Sequence, residues 1–150
     1  ITVNGDLTNT GVTLDASVTN YAVSVAGNWT NTGTYNPRFN TTTLNGGATQ
    51  TITNAAGETF NNLNMTGAGS KILAGNVTIN FDFTLGSALD VANNDINIRG
   101  NWDNSGTYTA LPLNDVTFSN ASIVSGSSPT QFINVIITGT LTGHSSNMNV

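Results

Sequence analysis

Apolar and polar residues alternate along this chain in short runs, and each run stops at a glycine or an asparagine. Val23 and Val25 flank Ser24, and Ile96 and Ile98 flank Asn97. A period of two, with β-branched residues on one side, predicts short strands that bury one face. No stretch spaces its apolar residues by three or four over ten positions. Val, Ile, Thr, Asn and Gly are also mediocre or poor helix formers, so little or no helix is expected.

The runs repeat. Residues 1–11 (ITVNGDLTNTG) and 23–33 (VSVAGNWTNTG) share a phrase in which Gly5, Asp6, Leu7, Asn9 and Gly11 fall on Gly27, Asn28, Trp29, Asn31 and Gly33. It returns at 96–106 as INIRGNWDNSG, with Gly100, Asn101, Trp102, Asn104 and Gly106 as equivalents and Tyr108 matching Tyr35. A degenerate copy, VTINFDFTLG, begins at Val77. Further on, TTTLNG at 41–46 matches DVTFSN at 115–120, and TFNNLNMTG at 59–67 matches QFINVIITG at 131–139.

Self-similarity at a fixed period is the mark of a solenoid, in which each repeat covers the apolar face of its neighbour. The expected fold is therefore all-β: a single-stranded parallel β-helix, or β-solenoid, occupying 1–150 as one segment. The offset from Gly5 to Gly27, between the first two copies, reads as one coil. The longer offset, from Gly27 to Gly100, reads as three coils, which gives about six coils of roughly 20–25 residues in all. An antiparallel sandwich is the alternative, but it has no reason to reuse one phrase at multiples of a coil.

Within the phrase each residue type has a physical reason. Gly27 and Gly100, with Gly5 at the same place in the repeat, mark a corner, where Gly27 and Gly100 can take positive φ. Asn28, Asn31, Asn101 and Asn104 tolerate left-handed conformations and bond nearby backbone as Asx turns. Gly33 and Gly106 close the Asn-x-Gly turn. The position shared by Leu7, Trp29 and Trp102, and by Phe83, accepts any large apolar side chain, which points to core filling rather than to a sugar platform. Tyr35 and Tyr108 are the better candidates for carbohydrate contact.

Composition sharpens this picture. Only 7% of residues are charged, against about 25% in ordinary domains, while Asn, Thr, Gly and Ser make up about half of the chain. A surface without charge must be covered by small neutral side chains, which stacked coils can line up in rows; the Thr-rich segments at 41–44 and 49–53 read as such outward ladders. Hydrophobic content of 37% argues against disorder. The net charge of −5, with Arg38, Lys71 and Arg99 the only basic side chains besides the single histidine, argues against a nucleic-acid partner. No apolar run is long enough for a membrane-spanning helix, so membrane insertion is not expected. The chain opens at Ile1 without Met or signal peptide and reads as a piece of a longer repeat protein. Its expected partners are flanking repeats of the same chain or other copies of itself, with surface glycans as a third candidate.

Candidate chemistry is thin. The acids Asp6 and Asp82 align with Asn28 and Asn101, and exchange with Asn argues for a turn role rather than proton transfer. Asp90 to Asp95 (DVANND) is the single local acidic cluster, and its oxygens suit calcium, yet the Gly-Gly-x-Gly-x-Asp pattern of calcium-binding β-rolls is missing. There is no cysteine and one histidine, His144, so neither a thiolate or histidine metal site nor a serine-hydrolase base is available within one chain. The serines at 125–128 and 145–146 read as turn residues. No catalytic residue, metal site or cofactor is expected.

The segments GNWTNTGTY at 27–35 and GNWDNSGTY at 100–108, with TFNNLNMTG and QFINVIITG after them, resemble secreted β-helical repeats of bacterial surface proteins. The resemblance is to filamentous-haemagglutinin-like adhesins and to the Asn/Thr/Gly-rich repeats of very large Bacteroidota cell-surface proteins. It implies a right-handed parallel β-helix, an extracellular or cell-surface location, and a non-catalytic role as stalk or adhesin. Two other functions fit the same residues: a filament subunit stacking end to end, and a carbohydrate-binding or carbohydrate-active β-helix using the Asp90 and Asp95 region.

Overall fold

Three short strands and three corners make one turn of this chain. The computed structural model describes residues 1–143, 148 and 149. The first turn carries β1 (Thr2–Val3), β2 (Leu7–Asn9) and β3 (Thr13–Asp15); the second, β4 (Val23–Val25), β5 (Trp29–Asn31) and β6 (Thr34–Asn36). The third carries β7 (Thr41–Leu44), β8 (Gln50–Thr53) and β9 (Glu58–Phe60); the fourth, β10 (Asn62–Met65), β11 (Lys71–Leu73) and β12 (Val77–Ile79). The fifth carries β13 (Phe83–Leu85), β14 (Ala88–Asp90) and β15 (Ile96–Ile98); the sixth, β16 (Trp102–Asn104), β17 (Thr107–Thr109) and β18 (Asp115–Phe118). The seventh carries β19 (Ala121–Ser125), β20 (Thr130–Gln131) and β21 (Asn134–Ile137), and the eighth has β22 (Thr140–Gly143) and β23 (Met148–Asn149).

Strands of successive turns pair in parallel and build three faces. The first is an eight-stranded sheet from β1 to β22, the second a six-stranded sheet from β2 to β17, and the third a five-stranded sheet from β9 to β21. Two-stranded sheets, β3 with β6 and β20 with β23, lie against the third and second faces through β6–β9 and β17–β20 contacts. Every pairing is parallel and no described residue is helical, so the protein is an all-β parallel solenoid of about eight turns, and the sandwich is excluded.

The alternation read from the sequence is what fills the axis. Inward residues stack in columns: Val25, Leu44, Met65 and Leu85 on the first face, Leu7, Trp29, Ile52 and Leu73 on the second, Phe60, Ile79, Ile98 and Phe118 on the third. Most of these are fully buried. Outward columns are small and polar, as in Ser24, Thr43, Asn64, Thr84 and Asp103. Each buried aliphatic side chain contributes about 1.5–3 kcal/mol, and each column is continuous because every coil covers the one before it.

The coil count and long period differ from expectation. Turn length is uneven, shortest where Lys71 stacks on Leu89 and longest where Trp29 stacks on Ile52, and about eight turns fit where six were expected. The short offset is one turn: Leu7 pairs with Trp29, and Asn9 with Asn31. The long offset is not three turns. Trp29 lies in β5 on the second face and Trp102 in β16 on the first, eleven strands later, which is three and two-thirds turns. The two long copies are displaced around the axis by one face.

Candidate functional site

The polar residues of the repeat act at the corners, where one coil meets the next. Asp6 Oδ1 accepts the Asn28 N–H at 2.7 Å, and Asn28 Oδ1 accepts the Thr51 N–H at 2.8 Å. At the corner before the first face, Asn62, Asp82 and Asn101 accept the N–H groups of Asp82, Asn101 and Ile123 at 3.2, 2.9 and 3.0 Å. At the third corner, Asn76 and Asp95 accept those of Asp95 and Asp115, each at 2.9 Å. A side-chain oxygen one coil back thus satisfies a corner N–H that no strand partner reaches. The task needs an acceptor and not a charge, which explains why Asp and Asn exchange there.

Asn31 and Asn104 sit inside the coil. Asn31 Oδ1 accepts the Gly33 N–H at 3.0 Å, and Asn104 Oδ1 the Gly106 N–H at 2.9 Å, each an Asx turn of the expected kind. Asn9 Nδ2 donates to Asn31 Oδ1 at 2.9 Å, continuing the ladder along the axis.

Two expectations about backbone are corrected. Positive φ occurs at Gly11, Gly57, Gly67 and Gly126 and not at Gly5, Gly27 or Gly100, nor at Asn28, Asn31, Asn101 or Asn104. Gly27 and Gly100 are glycines because the preceding coil presses on them: an added Cβ would lie 2.4 Å from Asp6 Oδ1 and 2.5 Å from the Phe81 carbonyl carbon, respectively. Gly33 and Gly106 are tighter still, with 2.1 Å to Val12 O and 2.0 Å to Ser87 O.

The aromatic residues of the phrase form one cluster, built twice. Trp29 meets Tyr35 and Phe60 edge-on at 4.8 and 5.3 Å; Trp102 meets Tyr108 and Phe132 at 5.0 and 5.2 Å. Both tryptophans are fully buried, as the exchange with Leu7 and Phe83 implied. Tyr35 and Tyr108 are buried too, at 6% and 9% exposure, with their hydroxyls bonded to Asn40 and Thr42 in one copy and to Asn114 in the other. A sugar stacks on an exposed ring face, and these rings have none. Burial pushes both phenols above their ordinary range.

Glu58 was not singled out by the sequence. It occupies a core column of the third face above Val77, at 4% exposure. Its Oε2 accepts from Trp29 Nε1 at 2.7 Å and Asn31 Nδ2 at 2.8 Å, while Oε1 accepts the Thr59 N–H at 3.1 Å. In the second copy the position facing the Asn is Thr130, whose Oγ1 accepts from Asn104 Nδ2 at 3.0 Å, and Trp102 Nε1 has no partner among the described residues. Gln50 and Lys71, neighbours on the second face, are also buried: Gln50 bonds Val25 O, Gly27 O and Gly46 N–H, and Lys71 Nζ donates to Gly69 O at 2.8 Å. Desolvation holds the Lys71 ammonium below its ordinary range.

Apart from Trp102 Nε1, the polar side chains described so far are bonded within the fold. Among the described residues, those lining a cleft of about 390 Å³ beside Gly106, Tyr108, Ser128 and Gln131 include no acid–base pair. Its counterpart beside Gly33 and Tyr35, about 190 Å³, contains Glu58, whose oxygens are already bonded. In the Asp90–Asp95 cluster, Asp90 Oδ1 accepts the Ala92 N–H and Asp95 Oδ1 the Asp115 N–H. Among the described residues no three of His, Cys, Asp and Glu gather in a metal-binding group, and no helix is long and apolar enough to cross a membrane. Arg38 forms a bidentate pair with Asp15, which draws that carboxyl below the usual range, chiefly through the Arg38 hydrogen bond. His144, Ser145 and Ser146 lie outside the described residues.

The fold defines the class, a parallel β-solenoid. No family model, curated protein or solved structure matches the chain.

Proposed function

We propose that this solenoid is a non-catalytic, extracellular structural segment: a stalk or adhesin-type spacer of a surface protein. The observation that carries the reading is the engagement of the corner Asp and Asn side chains, which the repeat sets at each corner and which bond the backbone of the next coil. Such side chains brace a rod and are not free to handle a substrate. The adhesin-type reading is supported by the resemblance of the GNWTNTGTY and GNWDNSGTY phrases and their Asn/Thr/Gly-rich setting to bacterial surface repeats.

Mechanically, parallel strands on three faces link each coil to its neighbours only, so a pull along the axis loads the backbone hydrogen bonds one coil at a time. Single-molecule stretching between the two termini is expected to release the chain in steps of about one coil, roughly 70 Å of contour each. A single collapse at low force would contradict a load-bearing spacer, and release of reducing ends from any polysaccharide would contradict the non-catalytic assignment. Sedimentation in which particle size grows with concentration would favour the end-to-end filament instead.

A further inference from the structure

The chain has eleven aromatic residues, and eight of them, both tryptophans, Tyr35, Tyr108, Phe60, Phe83, Phe118 and Phe132, are buried. The other three, Tyr21, Phe39 and Phe81, are exposed at 60%, 77% and 56%. Each of the three stands just before a strand of the eight-stranded face: β4, β7 and β13. They therefore share one corner. β4 and β7 are neighbours, and β10 alone separates β7 from β13. At about 4.8 Å per coil, the rings span roughly 14 Å along the axis.

The backbone beside Tyr21 and Phe39 is braced. Asn20 and Arg38, immediately before Tyr21 and Phe39, have left-handed backbones with φ of 58° and 55°. A non-glycine residue there is strained and persists only where its surroundings impose it. Those surroundings are specific: Asp15 clamps the Arg38 guanidinium at 2.6 and 2.9 Å, Asn20 Oδ1 accepts the Phe39 N–H at 3.1 Å, and Asn40 Nδ2 donates to Tyr21 O at 3.1 Å. Amides continue along the corner at Asn61, Asn62 and Asn80.

We propose that this corner binds a linear, neutral polysaccharide lying along the solenoid axis. Exposed aromatic rings at one corner, on three of four successive coils, match the apolar ring faces along a pyranose chain. The exposed ring area is about 400 Å² if each residue offers about 200 Å², half the roughly 800 Å² per partner of a stable protein interface. The narrow occupant is thus favoured over a second copy. The net charge of −5 and the pairing of Arg38 with Asp15 favour a neutral polymer over an acidic one. A backbone fixed before binding loses little freedom on contact. The site is independent of the spacer role: axial stretching tests the rod, and only polymer binding tests the corner.

Affinity electrophoresis of the whole chain through gels containing hydroxyethyl cellulose, mixed-linkage β-glucan, xylan, galactomannan or starch is the test. At least one polymer is expected to retard the protein. The triple variant Tyr21→Ala/Phe39→Ala/Phe81→Ala should lose at least tenfold in affinity with its circular dichroism and Tm unchanged, while Leu113→Ala, an exposed apolar residue elsewhere, keeps it. Should the triple variant unfold, Phe39→Ala alone decides. Absence of retardation on all five polymers, retardation that survives loss of the rings, or a corner that instead mediates self-association in sedimentation would each overturn the proposal.

Discussion

Glu58 shows how little a single residue's type says about its task. It is a buried carboxylate with N–H donors around it and no basic side chain bonded to it. Replacing it with Ala orphans Trp29 Nε1 and Asn31 Nδ2, each about 1–3 kcal/mol when buried and unpaired, so Glu58→Ala should lose about 2–4 kcal/mol in urea unfolding. Glu58→Gln keeps one acceptor for both donors but turns its NH₂ toward the Thr59 N–H, so its loss should be smaller. An equal loss in the two variants would show that the donors do not depend on this acceptor. The two buried tyrosines make a second case. Their folded pKa values are raised, so below the ordinary phenol pKa they favour neither state; as pH rises past about 10 the unfolded chain ionises first and the fold loses stability. Phenolate absorbance of Tyr35 and Tyr108 should therefore appear late, together with loss of the β signal in circular dichroism. Their titration while the fold stays intact would contradict the burial.

A three-residue strand has too few hydrogen bonds to stand alone, so each element depends on its corner. The corner acceptors should be interchangeable by chemistry rather than by charge. Asp82→Asn preserves the acceptor for the Asn101 N–H and should change stability by under about 0.5 kcal/mol, whereas Asp82→Ala leaves a corner donor unmatched and should lose about 1 kcal/mol. Urea midpoints of the two variants check this, and equal losses would remove the Asx ladder as a stabilising device. The strand-and-corner unit was legible in the sequence because alternation and Asn-x-Gly act within a few residues. The role of its glycines was not: the reason for Gly27 and Gly33 lies in the preceding coil, whose backbone touches them. Nor was Glu58 legible, since a lone acid outside the repeated phrase gives no sign that it faces Trp29 one coil back.

For the molecule as a whole, the parallel solenoid could be read from self-similarity, while the number of turns could not. The phrase specifies strand, corner, strand, and it is indifferent to which of three faces it lands on. Corners of unequal length make turns of unequal length, so the step from Trp29 to Trp102 advances eleven strands and comes to rest one face around. The sites of exchange confirm it: Phe83 stacks on Trp102 within one face, in the adjacent coil, although Trp29 is the fuller match in sequence. Two equivalent aromatic clusters consequently lie on different sides of the axis, and exposed features need not follow the repeat, as the single corner holding Tyr21, Phe39 and Phe81 illustrates.

The stacking register is the claim on which the rest depends, and the absence of cysteine from the chain makes it directly measurable. Thr84 and Asp103 are outward neighbours on β13 and β16, in parallel register. Adjacent strands lie about 4.8 Å apart, within the range a disulfide spans. The double variant Thr84→Cys/Asp103→Cys should close to a disulfide under mild oxidation, at unchanged circular dichroism. Thiols that stay reduced in the folded protein, while Thr84→Cys pairs readily with a cysteine at another turn spacing, would contradict the coil.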